Sequence, residues 1–322
     1  MRSILDEVYT YAFHARSISD ALAAQLVDAL PGCLLDLFAA ARGAACKAHA
    51  VYFTCGIINA KSGGCQADCS FCAQSRHHRG NAPVYPLVST DTLLKRAEEL
   101  AATQVDRMGI VTSGVSPSQQ DVDRLCEAAS LITKRVGIKL CASFGRLGRE
   151  QGIALRQAGF SRYHHNLETS ASYSLEVCTT HAHSLRLETV ENAKAAGLQV
   201  CSGGIFGLGE TWAHRIELVC ALRELDVDSI PVNFLMPIKG TPLEKRPLLS
   251  PEDALAIIAI IRLMHPARDV VICGGRDLVL QEWGNLVFSA GASGIMVGNY
   301  LTVQGRSLDA DIAMLKTLGI RP

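Results

Sequence analysis

Three cysteines fall within eight residues, Cys65-Gln66-Ala67-Asp68-Cys69-Ser70-Phe71-Cys72, spaced C-x3-C-x2-C. A loop this short points three thiolates at one metal centre and has no room to supply a fourth. Structural zinc needs four protein ligands, and no second C-x2-C or H-x3-H pair follows. Three soft ligands with one open position suit an iron–sulfur cubane whose fourth iron binds something other than protein.

The elements that must position this loop alternate along the chain. Residues 1–48 read as helices, an N-terminal extension packed on the main body. Val51–Ile58 is strand-like and the cysteine loop follows it. The remaining strands are expected at Arg107–Thr112, Ile138–Ser143, Ser161–Leu167, Leu198–Ile205, Ser229–Met236, Val270–Cys273 and Gly294–Val297. Helices fall between them, the last two at Glu282–Ala290 and Leu308–Leu318. Eight strand–helix units in residues 49–322 fit an α/β (β/α)8 TIM barrel, which typically takes about 250 residues. The loop then sits after the first strand, at the end where such barrels keep their chemistry. A doubly wound open sheet fits the strand count less well.

Four more cysteines fall on alternate strands of that barrel: Cys55 on the first, Cys141 on the third, Cys201 on the fifth and Cys273 on the seventh. Side chains from alternate strands build one layer of a barrel interior. Taken singly, each reads equally well as a small buried hydrophobe. Together they form a four-thiolate set able to hold a second, [4Fe–4S]-type cluster. Cys33, Cys46, Cys126, Cys178 and Cys220 fall in helices or loops and read as ordinary cysteines.

Bulk properties bound the function. The chain has 322 residues, 48% hydrophobic and 19% charged, with 31 Lys+Arg against 31 Asp+Glu. No net field recruits nucleic acid or an anionic membrane. The N-terminus lacks the apolar run of a signal peptide, and no apolar run is long enough to span a bilayer. Twelve cysteines in such a chain imply a reducing, cytoplasmic setting and metal or catalysis rather than disulfides.

The C-x3-C-x-aromatic-C loop resembles the signature of radical S-adenosylmethionine (SAM) enzymes. In that family the amino and carboxylate groups of SAM chelate the open iron, and one electron cleaves the sulfonium to a 5′-deoxyadenosyl radical. Further stretches narrow the resemblance: Gly63-Gly64-Cys65 with Cys72-Ala73-Gln74-Ser75, His165-Asn166-Leu167-Glu168-Thr169-Ser170, Cys201 through Glu210, and Lys239-Gly240-Thr241-Pro242-Leu243. In this order they resemble the biotin synthase family, from about Val51 to the C-terminus.

The resemblance implies a homodimeric (β/α)8 barrel that inserts sulfur into dethiobiotin at two unactivated carbons. An auxiliary cluster donates the sulfur, and flavodoxin or ferredoxin supplies electrons. It implies that Cys65, Cys69 and Cys72 hold the SAM cluster, with Phe71 beside them. Asn166 and Glu168 would meet the SAM ribose, Arg186 the SAM carboxylate, and Gly204 would allow close backbone approach. Asn233 would meet the ureido ring of the substrate, whose contacts also draw in Asn166 and His164; His164 stands where the family commonly has asparagine.

Without the resemblance, Asn166 and Glu168 could be a helix cap, Arg186 a solvated residue and Asn233 a core amide. The family's auxiliary cluster is [2Fe–2S], held by three cysteines and an arginine. Here Gly109 replaces the second-strand cysteine, and Arg276 matches the arginine, near or ligating the cluster. The expectation is a biotin synthase variant with a four-iron auxiliary cluster. The competing reading is a related radical SAM mutase or metallocofactor maturase acting on another small molecule.

Overall fold

The structure, a computed structural model, describes residues 2–303 and 305–320. Three helices lead the chain: α1 (Arg2–Phe13), α2 (Asp20–Ala29) and α3 (Leu34–Lys47). The barrel strands follow as β1 (Phe53–Lys61), β2 (Arg107–Thr112), β3 (Lys139–Ser143), β4 (Phe160–His164), β5 (Gln199–Cys201), β6 (Gly204–Phe206), β7 (Ser229–Phe234), β8 (Asp269–Ile272) and β9 (Gly294–Met296).

All pairings between these strands are parallel. The sheet runs β5-β4-β3-β2-β1-β9-β8-β7-β6, and Cys201 opposite Ser229 joins β5 to β7 and closes the ring. β5 and β6 are two halves of one stave, so nine segments make an eight-stave (β/α)8 barrel. The expected continuous strand Leu198–Ile205 is therefore broken at Ser202-Gly203. A Cβ on Gly203 would lie 2.0 Å from the Pro231 carbonyl oxygen, so the neighbouring stave fills the space where a side chain would start.

The surrounding helices are α4 (Thr90–Ala102), α5 (Gln119–Arg135), α6 (Arg149–Gln157), α7 (Ser174–Val177), α8 (His183–Ala195), α9 (Trp212–Glu224), α10 (Pro251–Met264), α11 (Arg276–Leu280) and α12 (Leu308–Thr317). Serine starts many of them. Ser89, Ser118, Ser250 and Ser307 each accept a hydrogen bond from a backbone N–H of the first turn, satisfying a donor that the helix itself cannot. The expected helix Glu282–Ala290 is instead a 3-10 turn over Gln281–Val287, because Gln281 adopts φ +47° and interrupts the run from α11.

α10 is buried along its whole apolar run Ala254–Met264, because the barrel lies on one side and α3 on the other. α3 supplies Leu37, Phe38, Ala41 and Ala44 to the same core. Buried within this layer, Arg262 ends α10 by donating to the carbonyls of Gly291 (2.7 Å), Pro266 (2.9 Å) and Arg268 (2.6 Å). Among the described residues, no helix is long and apolar enough to cross a membrane.

Candidate active site

The cysteine loop leaves the end of β1 and is fixed by its own backbone. Cys65 N–H donates to the Gln74 carbonyl (3.0 Å), and Arg76 N–H donates back to the Cys65 carbonyl (2.8 Å). Gln74 Oε1 accepts from Ser62 Oγ and from Gly63 N–H, each at 3.1 Å. Ser75 Oγ donates to the Ala67 carbonyl at 2.6 Å.

A second clamp comes from far along the chain. The Asp68 carboxylate accepts from Thr179 N–H (3.0 Å), Thr180 N–H (3.1 Å), Thr180 Oγ1 (2.8 Å), the Cys178 thiol (3.1 Å) and the Thr179 hydroxyl. Burial alone would raise the Asp68 carboxyl, but these bonds hold it well below the usual carboxylate range. The clamp presses Cys178 against Cys69 and Ala67. Cys178 had read as an ordinary loop cysteine, and only this long-range contact brings it to the site.

Asn166 and Glu168 lie just beyond β4, which ends at His164 rather than Leu167. The segment continues alongside the broken stave: Leu167 N–H donates to the Gly203 carbonyl (3.0 Å) and Ile205 N–H to the Glu168 carbonyl (2.8 Å). Glu168 sits at φ +69°, a conformation costly for a residue with a Cβ and held here by those bonds. Asn166 Nδ2 donates to Glu168 Oε2 (3.2 Å), while Asn166 Oδ1 accepts from Gly203 N–H (3.2 Å).

Arg186, near the start of α8, is not a solvated arginine. Its Nη1 donates to the Asn166 carbonyl (3.1 Å), its Nη2 lies 3.7 Å from Cys69 Sγ, and its guanidinium is 3.8 Å from Glu168. The structure thus brings Asn166, Glu168 and Arg186 together beside the cysteine loop. Gly204 stays outside the cavity wall: its missing Cβ makes room for the Glu168 carbonyl, which a Cβ would approach to 2.6 Å. It lets the Glu168 segment pack against the broken stave.

One cavity of about 410 Å³ holds both sets of thiols. Cys65, Cys69, Cys72, Cys55, Cys141, Cys201 and Cys273 all line it, with Phe71, His164, Asn166, Glu168, Arg186 and Asn233. Burial raises the thiol pKa of the four strand cysteines, taking Cys55 to about 12. For Cys55, Cys141 and Cys273 the next largest cause is the charge of Cys201, so these sulfurs share one space. A crowd of thiols that resist ionisation unless something cationic sits among them is a donor set suited to iron.

Two of the remaining sequence expectations look different in place. Arg276 is fully buried but does not line the cavity; its Nη2 donates to Asp311 Oδ1 at 2.7 Å. Its positive charge favours the ionised Cys273 thiol, which places it near that sulfur. Asn233 lines the cavity, yet its Oδ1 accepts from Gly274 N–H (3.0 Å) and its Nδ2 donates to the Gly204 carbonyl (3.2 Å). One N–H and one lone pair remain for a ligand. His164 Nδ1 lies 3.4 Å from Cys201 Sγ.

Sequence reasoning passed over two arginines that also line the cavity, Arg107 and Arg162. They occupy inward strand positions of the same parity as Gly109 and His164, which is the signal that marks them.

Two family models match the chain: the radical SAM superfamily over residues 60–222, and the biotin and thiamin synthesis associated domain over residues 231–321. The chain is 57% identical over 267 residues to the biotin synthase of Nitratidesulfovibrio vulgaris (strain DP4), covering 83% of this chain and 74% of that protein. It is 47% identical over 264 residues to the biotin synthase of Pelotomaculum thermopropionicum, covering 82% of each. Among solved structures it shares its fold with methylornithine synthase, at a TM-score of 0.80 and 20% identity over 98% of this chain and 97% of that one. The [FeFe]-hydrogenase maturase HydG from Carboxydothermus hydrogenoformans has the same fold, at 0.81 and 17% over 99% and 79%. At this identity and coverage, and with both family models matched, the chain belongs to the biotin synthase family of radical SAM enzymes.

Proposed function

We propose that this chain is a biotin synthase that inserts sulfur between two unactivated carbons of dethiobiotin, with an auxiliary iron–sulfur cluster as the sulfur donor. The observation that carries this reading is the shared cavity, in which three loop thiols and four strand thiols enclose one space. A mutase on this fold has no use for the second set.

A [4Fe–4S] cluster with SAM supplies a carbon radical able to abstract unactivated hydrogens. Cys65, Cys69 and Cys72 hold that cluster in the fixed loop. Arg186, Asn166 and Glu168 bind and orient SAM, the guanidinium toward its carboxylate and the Asn–Glu pair toward its ribose. Phe71 packs with Val177, Leu208 and Leu235 into an apolar wall that keeps water from the reacting carbons. Asn233 offers its free N–H and lone pair to the ureido ring, with His164 alongside.

Cys55, Cys141, Cys201 and Cys273 form an all-thiolate set for a four-iron auxiliary cluster carrying an extra sulfide. Arg276 neutralises from behind rather than ligating. A flavodoxin or ferredoxin as electron donor, a homodimer and a cytoplasmic setting complete the reading.

The decisive experiment is anaerobic reconstitution, then incubation with SAM, reductant and dethiobiotin, reading biotin and 5′-deoxyadenosine by mass. Biotin formation with four irons at the second site by Mössbauer spectroscopy is the expected result. Two irons there would sink the four-iron assignment. 5′-Deoxyadenosine without biotin would favour another small-molecule substrate.

A further inference from the structure

Over the first four staves, inward thiols and guanidiniums alternate. Arg107 on β2 is the register partner of Cys55 on β1, and Arg162 on β4 is the register partner of Cys141 on β3. Both arginines are buried and line the thiol cavity. Arg107 Nη1 donates to Ser161 Oγ at 2.7 Å. Arg162 Nη2 donates to Asp269 Oδ2 (3.1 Å) and to Gln199 Oε1 (3.3 Å), which anchors the far edge of its guanidinium at the start of β8 and β5. Its Nε is buried and has no acceptor among the described residues. The Phe53 ring centroid lies 5.9 Å from the guanidinium carbon. A buried N–H left without an acceptor, on a residue that lines the thiol cavity, is costly and points to a group that fills that place.

We propose that Arg162 is a positioning residue for the auxiliary cluster, its Nε–H donating to a cluster sulfur beside Cys201 and its charge, with that of Arg107, balancing the buried thiolates. The inference rests on the four-thiol reading above. Four thiolates around an oxidised [4Fe–4S] core leave a dianion, the extra sulfide adds further negative charge, and two guanidiniums on alternate staves offset part of it. Burying that anion without them carries a large desolvation cost. Net charge and hydrogen bonds to the sulfurs also set a cluster's reduction potential. Asp269 withdraws part of the Arg162 charge, so Arg162 and Asp269 form a pair with opposite effects on that potential.

The test uses the full chain carrying Cys65→Ala, Cys69→Ala and Cys72→Ala, so that only the auxiliary site binds iron. After anaerobic reconstitution, iron, acid-labile sulfide and midpoint potential are measured. Arg162→Met is expected to lose most of its iron and sulfide, and the cluster that remains should have a more negative midpoint. Arg162→Lys should retain iron, with a midpoint between those of the parent and Arg162→Met, because it restores charge but not the planar donor. Asp269→Asn should move the midpoint positive. A residue that merely holds the fold would not give opposite signs at the two ends of one ion pair.

The role of Arg162 is overturned if Arg162→Met keeps the parent's iron, sulfide and potential, or if Arg162→Met and Asp269→Asn shift the midpoint the same way. The underlying reading fails separately. If the parent binds no iron, or Cys141→Ala leaves its iron unchanged, the four-thiol site is wrong and the role of Arg162 falls with it.

Discussion

Arg276 and Asp311 form a buried ion pair, Nη2 to Oδ1 at 2.7 Å, that ties the start of α11 to α12 across 35 residues of sequence. Arg276 Nε and Nη1 and Asp311 Oδ2 have no partner among the described residues. A pair so incompletely satisfied depends on each member neutralising the other. Asp311→Ala leaves a buried cation and is expected to cost about 3–5 kcal/mol in urea unfolding. The double variant Arg276→Met/Asp311→Leu should recover most of that loss. On the proposal that Arg276 neutralises rather than ligates, auxiliary iron content should survive in the double variant; its loss there would make Arg276 a ligand.

Cys141→Ser and Cys273→Ser remove ligands from the strand set only. Both should abolish biotin formation while 5′-deoxyadenosine is still released from SAM. Normal biotin yields from both variants would remove the sulfur-donor role from this layer.

Arg186→Lys keeps a cation but loses the planar fork that reaches the Asn166 carbonyl and Cys69 together. SAM affinity, measured by equilibrium dialysis on reconstituted protein, should fall about tenfold or more. Iron bound by Cys65, Cys69 and Cys72 should be unaffected.

Gly203→Ala places a Cβ 2.0 Å from the Pro231 carbonyl oxygen. The stave must shift, which also disturbs the Gly203 N–H bond to Asn166. A stability loss of about 2 kcal/mol or more is expected, with weaker SAM binding. An unchanged melting temperature would show that the break in the stave is not sterically required.

His265 governs part of the acid stability. Burial pushes its pKa from 6.5 down to about 4, and its Nε2 bonds the Val219 carbonyl at 2.9 Å. The unfolded chain therefore takes up a proton below pH 6.5 that the folded chain refuses until about pH 4. Stability falls as pH drops through that window, by up to about 3 kcal/mol from this group. His265→Gln should reduce the pH dependence of urea unfolding by about one proton over the same range.

The alternation of strands and helices was legible because hydrophobic periodicity is a local property. The four-thiol layer was legible for a related reason: inward positions on alternate strands follow from the barrel alone. The break at Ser202-Gly203 was not, because its cause lies in Pro231 on the next stave. The position of Arg276 near the strand cysteines was legible, but its bond to Asp311 was not, because that partner lies on the last helix. Cys178 escaped notice because only the Asp68 clamp, more than a hundred residues away, brings it against Cys69. Arg107 and Arg162 escaped because an arginine in a strand usually reaches solvent, and only closure of the barrel turns these two inward.

The two thiol sets also differ in how much chain each requires. Cys65, Cys69 and Cys72 are neighbours, and their loop is complete early in synthesis apart from the Asp68 clamp. The strand set runs from Cys55 to Cys273, so its last ligand leaves the ribosome only after most of the polypeptide has been made. On the proposed assignment, the loop set is present in the chain well before the strand set is complete, and a chain truncated before β8 is expected to take up iron at the loop but not at the strand site.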